Sequence, residues 1–187
     1  MAIDLCNRLV DNELTRDELL EKVEIMKTSS SDLGNTCDTL SKAFDMKSSD
    51  EALFQLINSR ALLNESIKLA DKETGDVYGL LMFCEYPISF GSPIMMHEKG
   101  VGEYLSEFKQ VNGHSFVIDE RLRGTGLDKK MLFHNIDMIA KNYDLIWIAV
   151  ETSLRTHAYW QRLGFIEVFK IPEAVFYIMP LNKKMIQ

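Results

Sequence analysis

The stretch Arg121-Leu122-Arg123-Gly124-Thr125-Gly126 decides how this chain is read, because a β-prone run precedes it and an amphipathic run follows it. Upstream, residues 114–119 (His-Ser-Phe-Val-Ile-Asp) predict a strand that stops at Glu120-Arg121. Downstream, Leu127, Met131, Leu132, Ile136, Ile139 and Ala140 recur at helical spacing. Two glycines between a strand and a helix let backbone N–H groups approach an anion, and the positive end of the helix dipole faces the same point. Arg121, Arg123, Lys129 and Lys130 add cationic charge, so pyrophosphate is the guest that suits this turn. Two other nucleotide-binding turns fail on spacing. A P-loop needs G-x-x-x-x-G-K followed by Ser or Thr, and a dinucleotide fingerprint needs a third glycine at 129, where this chain has Lys129.

Outward from the turn, the chain alternates between strand and helix signals. Leu5, Leu9 and Val10 sit at helical spacing, and Thr15 to Glu18 reads as a capping box, so residues 1–21 are expected to be a helical extension. A strand is predicted over 23–28, then a helix carrying Leu33, Cys37, Leu40 and Phe44, then a second helix opened by Ser48 and Glu51. The runs 67–70 and 77–86, joined by polar residues and Gly75, predict an antiparallel pair. Residues 87–112 break the pattern with Pro87, Gly91, Pro93, Gly100 and Gly102 around a short helix at 103–110. Such an insertion is either a lid over a binding site or an inert surface excursion. The uninterrupted apolar run 145–150 predicts a central strand covered on both faces. A short helix from about Thr156 ends at Leu163-Gly164, and two last strands fall near 165–169 and 175–179.

The 187 residues are the length of one domain with one sizeable core, and 46% apolar with 26% charged residues is an ordinary globular balance. A net charge of −7 disfavours nucleic acid and anionic membrane surfaces as partners. The same charge either draws in a cationic amine or serves only solubility. Three cysteines, Cys6, Cys37 and Cys84, with no C-x-x-C pair, fit neither a disulfide framework nor a zinc knuckle. No metal is expected. No signal-like N-terminus and no run of eighteen apolar residues occur, so a cytoplasmic chain is expected.

Residues 121–126 resemble the R/Q-x-x-G-x-G/A signature of the GNAT superfamily of N-acetyltransferases. Tyr159-Trp160-Gln161-Arg162-Leu163-Gly164-Phe165 is similar to that family's second hallmark, F-Y-E-K-L-G-F, and stands downstream in the right order. The resemblance runs from about Val23 to Leu181. It implies an α/β fold with a mixed, mostly antiparallel sheet of six or seven strands, flanked by helices, in a single domain spanning 1–187. It also implies acetyl-CoA, or another acyl-CoA, as co-substrate in a gap between two splayed strands. Phe116, Val117 and Ile118 would pair with the pantetheine arm. Arg121, Leu122, Arg123, Gly124, Thr125, Gly126, Leu127, Asp128 and Lys129 would hold the pyrophosphate. The acceptor would be a primary amine of a small molecule or a peptide.

Some positions depart from the family pattern. Trp160 stands where the family often has a tyrosine acid, near the thiol end of the cofactor, and Ser153 stands where an asparagine is usual, a shorter hydroxyl that would still reach the cofactor thiol or a water as a catalytic or binding group. Tyr159 is adjacent, about 100° around the helix, and serves either as the acid or as packing. Asp128 replaces a small residue, and a carboxylate there favours a helix N-terminus but repels a phosphate if it points inward. For the base, His114 has a suitable intrinsic pKa, and strand alternation puts it on the side of Phe116 and Ile118. Its alternative role is that of an ordinary strand-edge histidine. Glu85, Glu120 and Glu151 are further base candidates at strand ends. Two functions follow: an acyl-CoA-dependent N-acetyltransferase, or a catalytically degenerate acyl-CoA-binding sensor.

Overall fold

Runs rich in Val, Ile and aromatic residues build one seven-stranded sheet in the computed structural model, which describes residues 8–58, 60–85, 96, 98–153 and 156–181. The strands are β1 (Val23–Lys27), β2 (Ile67–Asp71), β3 (Val77–Cys84), β4 (Gln110–Ile118), β5 (Leu145–Glu151), β6 (Ile166–Lys170) and β7 (Ala174–Pro180). Their order is β1-β2-β3-β4-β5-β7-β6. Every neighbouring pair is antiparallel except β4 and β5, which run parallel. The described helices are α1 (Arg16–Lys22), α2 (Leu33–Ala43), α3 (Ser49–Asn58), α4 (Lys99–Ser106), α5 (Leu127–Ile139) and α6 (His157–Arg162).

Local signals explain the helix ends. At α1 the Thr15 hydroxyl accepts the Glu18 N–H, and the Glu18 carboxylate accepts the Thr15 N–H at 2.7 Å, a complete capping box. At the end of α2 the N–H of Met46 donates to the Ser41 carbonyl at 2.8 Å, and Asp45 takes a left-handed φ of 49°. Glycine is the usual residue for that conformation. The resulting bend sends residues 44–47 back across the sheet.

Three sequence expectations are corrected. Residues 8–14 are irregular, so of the expected extension only α1 is helical among the described residues, and Leu9 is anchored by tertiary contacts instead of helical ones. The helix expected at 103–110 lies at Lys99–Ser106. Strand β4 begins at Gln110, four residues before the expected start, so the insertion ends before 110. Its 86–95 and 97 portion lies outside the described residues.

The two sheet faces are covered differently. On one, α1, α5 and α6 lay Leu19, Met131, Leu132, Ile139 and Trp160 over Ile67, Leu69, Leu81, Phe116, Ile148 and Tyr177 in one continuous cluster. On the other there are two clusters. Helices α2 and α3 cover Leu80, Met82 and Val117, and α4 covers Leu145, Trp147, Phe176 and Ile178. Among the described residues no helix is long and apolar enough to cross a membrane.

Candidate functional site

Strands β4 and β5 pair only through Gln110 with Leu145, Val111 with Ile146 and Asn112 with Trp147. Beyond those residues the ladder stops, although β4 runs on to Ile118 and β5 to Glu151. Each strand keeps its outer partner over this length, since Phe116, Val117 and Ile118 pair with Leu81, Leu80 and Gly79 of β3. The splay therefore leaves two strand edges facing one another in the middle of the sheet. Backbone N–H and C=O groups in such a place need partners, and an extended ligand bearing amides supplies them as an added strand would.

The glycine turn closes the far end of β4. Residues Glu120–Leu122 make one 3₁₀ turn, and Gly124 and Gly126 then take φ of 70° and 81°, values that L side chains rarely adopt. A Cβ built at either glycine meets nothing within 4 Å, so the turn is open on its outer side. Thr125 shapes it from within, its hydroxyl donating to the Leu122 carbonyl at 2.6 Å and accepting the Leu127 N–H at 3.3 Å. Among the described residues the N–H groups of Gly124, Gly126, Asp128 and Lys129 have no partner within the chain. They lie at and just before the N-terminus of α5, where unpaired backbone N–H groups and the helix dipole favour an anion, and form the candidate anion cradle.

The residues expected around the cradle divide. Arg123, Thr125 and Leu127 are partly exposed, and Lys129 and Lys130 are exposed. Leu122 is core, 0% exposed, so only its backbone belongs to the turn. Arg121 corrects the expectation of a side chain on the pyrophosphate. Its Nε and Nη2 donate to the two Asp119 oxygens at 2.9 Å each, and its remaining N–H groups go to the Val10, Asn12 and Leu14 carbonyls and the Asn12 side chain. The guanidinium is saturated inside the fold.

A cavity of about 540 Å³ opens on the two-cluster face, where the strands part. Asn112, His114 and Ser115 of β4, Trp147 and Ala149 of β5, the 44–47 bend, and Glu51 and Gln55 of α3 line it. His114 reaches it through a β-bulge: Gly113 pairs with Phe83 and Ser115 with Met82, so His114 is the extra residue. That bulge corrects the expected alternation, because Phe116 and Ile118 lie with the cluster on the opposite face. The His114 Nδ1 is 2.7 Å from the Ser115 hydroxyl, and burial pushes the imidazole below the ordinary histidine value. It is therefore neutral at pH 7 and able to take a proton. Glu85, Glu120 and Glu151 are exposed.

On the other side of the gap, the expected acid is corrected. The Tyr159 hydroxyl donates to the Asp128 carboxylate at 2.8 Å, and burial, then that carboxylate, raise its pKa far above the ordinary tyrosine value. A phenol so held is a poor proton donor at neutral pH. The same bond turns Asp128 toward α6, which answers where its charge points. Trp160 is 1% exposed and packed among Phe116, Tyr159 and Phe165, so its indole is core and not a wall of an open cofactor channel. Ser153 is exposed in the turn after β5. Among the described residues no group of three or more His, Cys, Asp or Glu side chains is placed to hold a metal. Sequence reading missed Asp45, Glu51, Gln55, Asn112 and Trp147, which no motif joins because they come from four separate elements.

No protein-family model matches the chain, and no curated protein matches it in sequence. Solved structures do match. The GNAT family N-acetyltransferase YhbS from Escherichia coli, in complex with CoA, superposes with a TM-score of 0.61 at 19% identity, covering 87% of this chain and 83% of that one. The ribosomal-protein-S18-alanine N-acetyltransferase from Escherichia coli gives 0.57 at 16% identity, over 86% and 94%. NAA60 from Arabidopsis thaliana, in complex with a bisubstrate analogue, gives 0.58 at 11% identity, over 84% and 97%. At these identities the likeness is one of fold: the chain shares the fold of these N-acetyltransferase structures.

Proposed function

We propose that this chain is an acyl-CoA-dependent N-acyltransferase that moves acetyl from acetyl-CoA to a primary amine of a small molecule or peptide. The observation that carries this reading is the continuity of three features: an unpaired strand gap, an open anion cradle at its far end, and a cavity with a neutral histidine beside it. The gap offers unpaired strand edges to the amides of pantetheine, and the cradle offers backbone N–H groups to a diphosphate. The YhbS structure, solved with CoA, supports the same guest.

Acetyl-CoA supplies the activated thioester carbonyl. Phe116, Val117 and Ile118 offer the β4 edge to the pantetheine amides, and the N–H groups of Gly124, Gly126, Asp128 and Lys129 receive the phosphate oxygens. Arg123, Lys129 and Lys130 add charge there. The amine acceptor occupies the cavity, where His114 takes the proton released as nitrogen attacks. Neither Tyr159 nor Trp160 supplies the departing sulfur with a proton, so the sulfur leaves as a thiolate or takes a proton from water.

The missing acid favours a second reading, in which the chain binds acyl-CoA without efficient chemistry. A thiol-release assay across polyamines, amino acids and peptides separates the two. Binding is tested first. Acetyl-CoA at about 100 times its Kd is expected to stabilise the fold by roughly 2.7 kcal/mol and raise the Tm by about 5–10 °C. Gly124→Glu, which puts a carboxylate in the cradle, is expected to remove the shift. No shift in the wild type with acetyl-CoA, CoA or a longer acyl-CoA would overturn the assignment.

A further inference from the structure

The N-terminal segment 8–14 is joined to the anion cradle by a buried network. Asp119, 0% exposed, ends β4 and caps the 3₁₀ turn by accepting the Arg121 N–H at 3.1 Å. Its Oδ2 also accepts the N–H of Leu9, 110 residues away, at 2.9 Å. Of the six acceptors around the Arg121 guanidinium, four belong to residues 10, 12 and 14. The Arg121 guanidinium also lies 5.6 Å from the Tyr78 ring, whose hydroxyl accepts from Asn12 Nδ2 at 2.6 Å. Leu9 is buried against α2 and β3, and its carbonyl accepts from Lys42 at 3.3 Å.

Physical chemistry makes this more than an anchor for a tail. A guanidinium needs its donors satisfied, and losing most of its acceptors forces it toward water. Arg121 lies only three residues before Gly124, with Leu122 fixed in the core between them. Turning Arg121 outward therefore twists the backbone that presents the cradle N–H groups.

We propose that segment 8–14 is part of the phosphate site, with Arg121, Asp119 and Asn12 as positioning residues whose network sets the glycine turn. This rests on the acyl-CoA reading above. Docking of the segment and binding of the diphosphate then stabilise each other, and the coupling is reciprocal. Ligand parts that do not reach the turn are indifferent to it.

The test compares CoA with S-acetylpantetheine, which keeps the thioester arm but lacks the diphosphate, by titration calorimetry on full-length protein. Arg121→Lys, which loses the planar fork, is expected to weaken CoA binding by about 5- to 100-fold and S-acetylpantetheine by less than about twofold. Asn12→Ala, at a partly exposed position, is expected to shift the same ratio by a smaller factor even if Arg121→Lys folds poorly. In the wild type, CoA is expected to slow hydrogen exchange at the Leu9 amide, and S-acetylpantetheine to leave it unchanged. Equal losses for both ligands, or CoA binding unaffected in both variants, would overturn the proposal. A wild type that binds neither ligand would instead overturn the acyl-CoA reading beneath it.

Discussion

The two faces of the sheet solve different problems with the same strands. One face is filled without a break by α1, α5 and α6, and Trp160, 1% exposed, sits there. The other is covered by two separate clusters that leave the cavity between them, at the point where β4 and β5 part. Helix cover on a splayed sheet can be complete on one face only if the opening is kept on the other. The filled face carries one continuous core and the divided face carries the cavity in which the proposed acceptor site lies, so mutations on the two should separate folding from function.

The largest effect is expected on the filled face. Trp160→Ala removes a core indole and should cost about 3–5 kcal/mol in urea unfolding. A loss below about 1 kcal/mol would mean that the indole is not a core element and would reopen it as a ligand contact. Next comes the cavity. His114→Ala should lower kcat/KM by about 100-fold with little change in unfolding free energy.

The pH dependence sharpens the same contrast. With His114 as the proposed base the neutral imidazole would be the active form, so the rate should fall as pH drops through the His114 pKa, which burial holds below the ordinary value of about 6.5. Stability follows the same sign, since the unfolded state binds this proton more readily and gains ground as pH falls below about 6.5. A pH–rate profile unchanged in His114→Ala would remove His114 from the reaction.

Smaller effects complete the comparison. Tyr159→Phe deletes the hydroxyl that donates to Asp128 and should cost about 1 kcal/mol of stability. It should leave the basic side of the pH–rate profile in place, and disappearance of a basic limb would restore Tyr159 as the acid. Smallest of all, Gln55→Ala, on an exposed cavity wall, should change stability by less than about 0.5 kcal/mol. It should nonetheless raise the acceptor KM, and an unchanged KM would place the acceptor elsewhere.

Most of the fold was legible because its signals are local. The apolar run at 145–150, the capping box at Thr15 and the glycine turn each depend on residues close in sequence. What was misread depends on tertiary contact. Leu9 and Val10 have helical spacing, yet hydrogen bonds to residues 119 and 121 hold them in an irregular conformation. The face of His114 was misread because one bulged residue reverses every position after it, and nothing at 113–115 announces the bulge. Arg121 was correctly placed in the turn, but its side chain could not be oriented without knowing that Asp119 lies beside it in a buried pocket. The cavity was invisible because residues from α2 to β5 meet there only after the sheet has formed.

The link between Leu9 and Asp119 also bears on how the protein is made. Residues 8–14 leave the ribosome early relative to their hydrogen-bond partners at 119 and 121, which are synthesised more than a hundred residues later. At about 5–20 residues per second the segment waits roughly 5–20 s with those backbone groups in water. Its docking is therefore a late event in biogenesis, possible only after β4 has been added to β3, and ribosome-bound chains stopped before residue 119 should leave the segment open to protease while α2 is already formed.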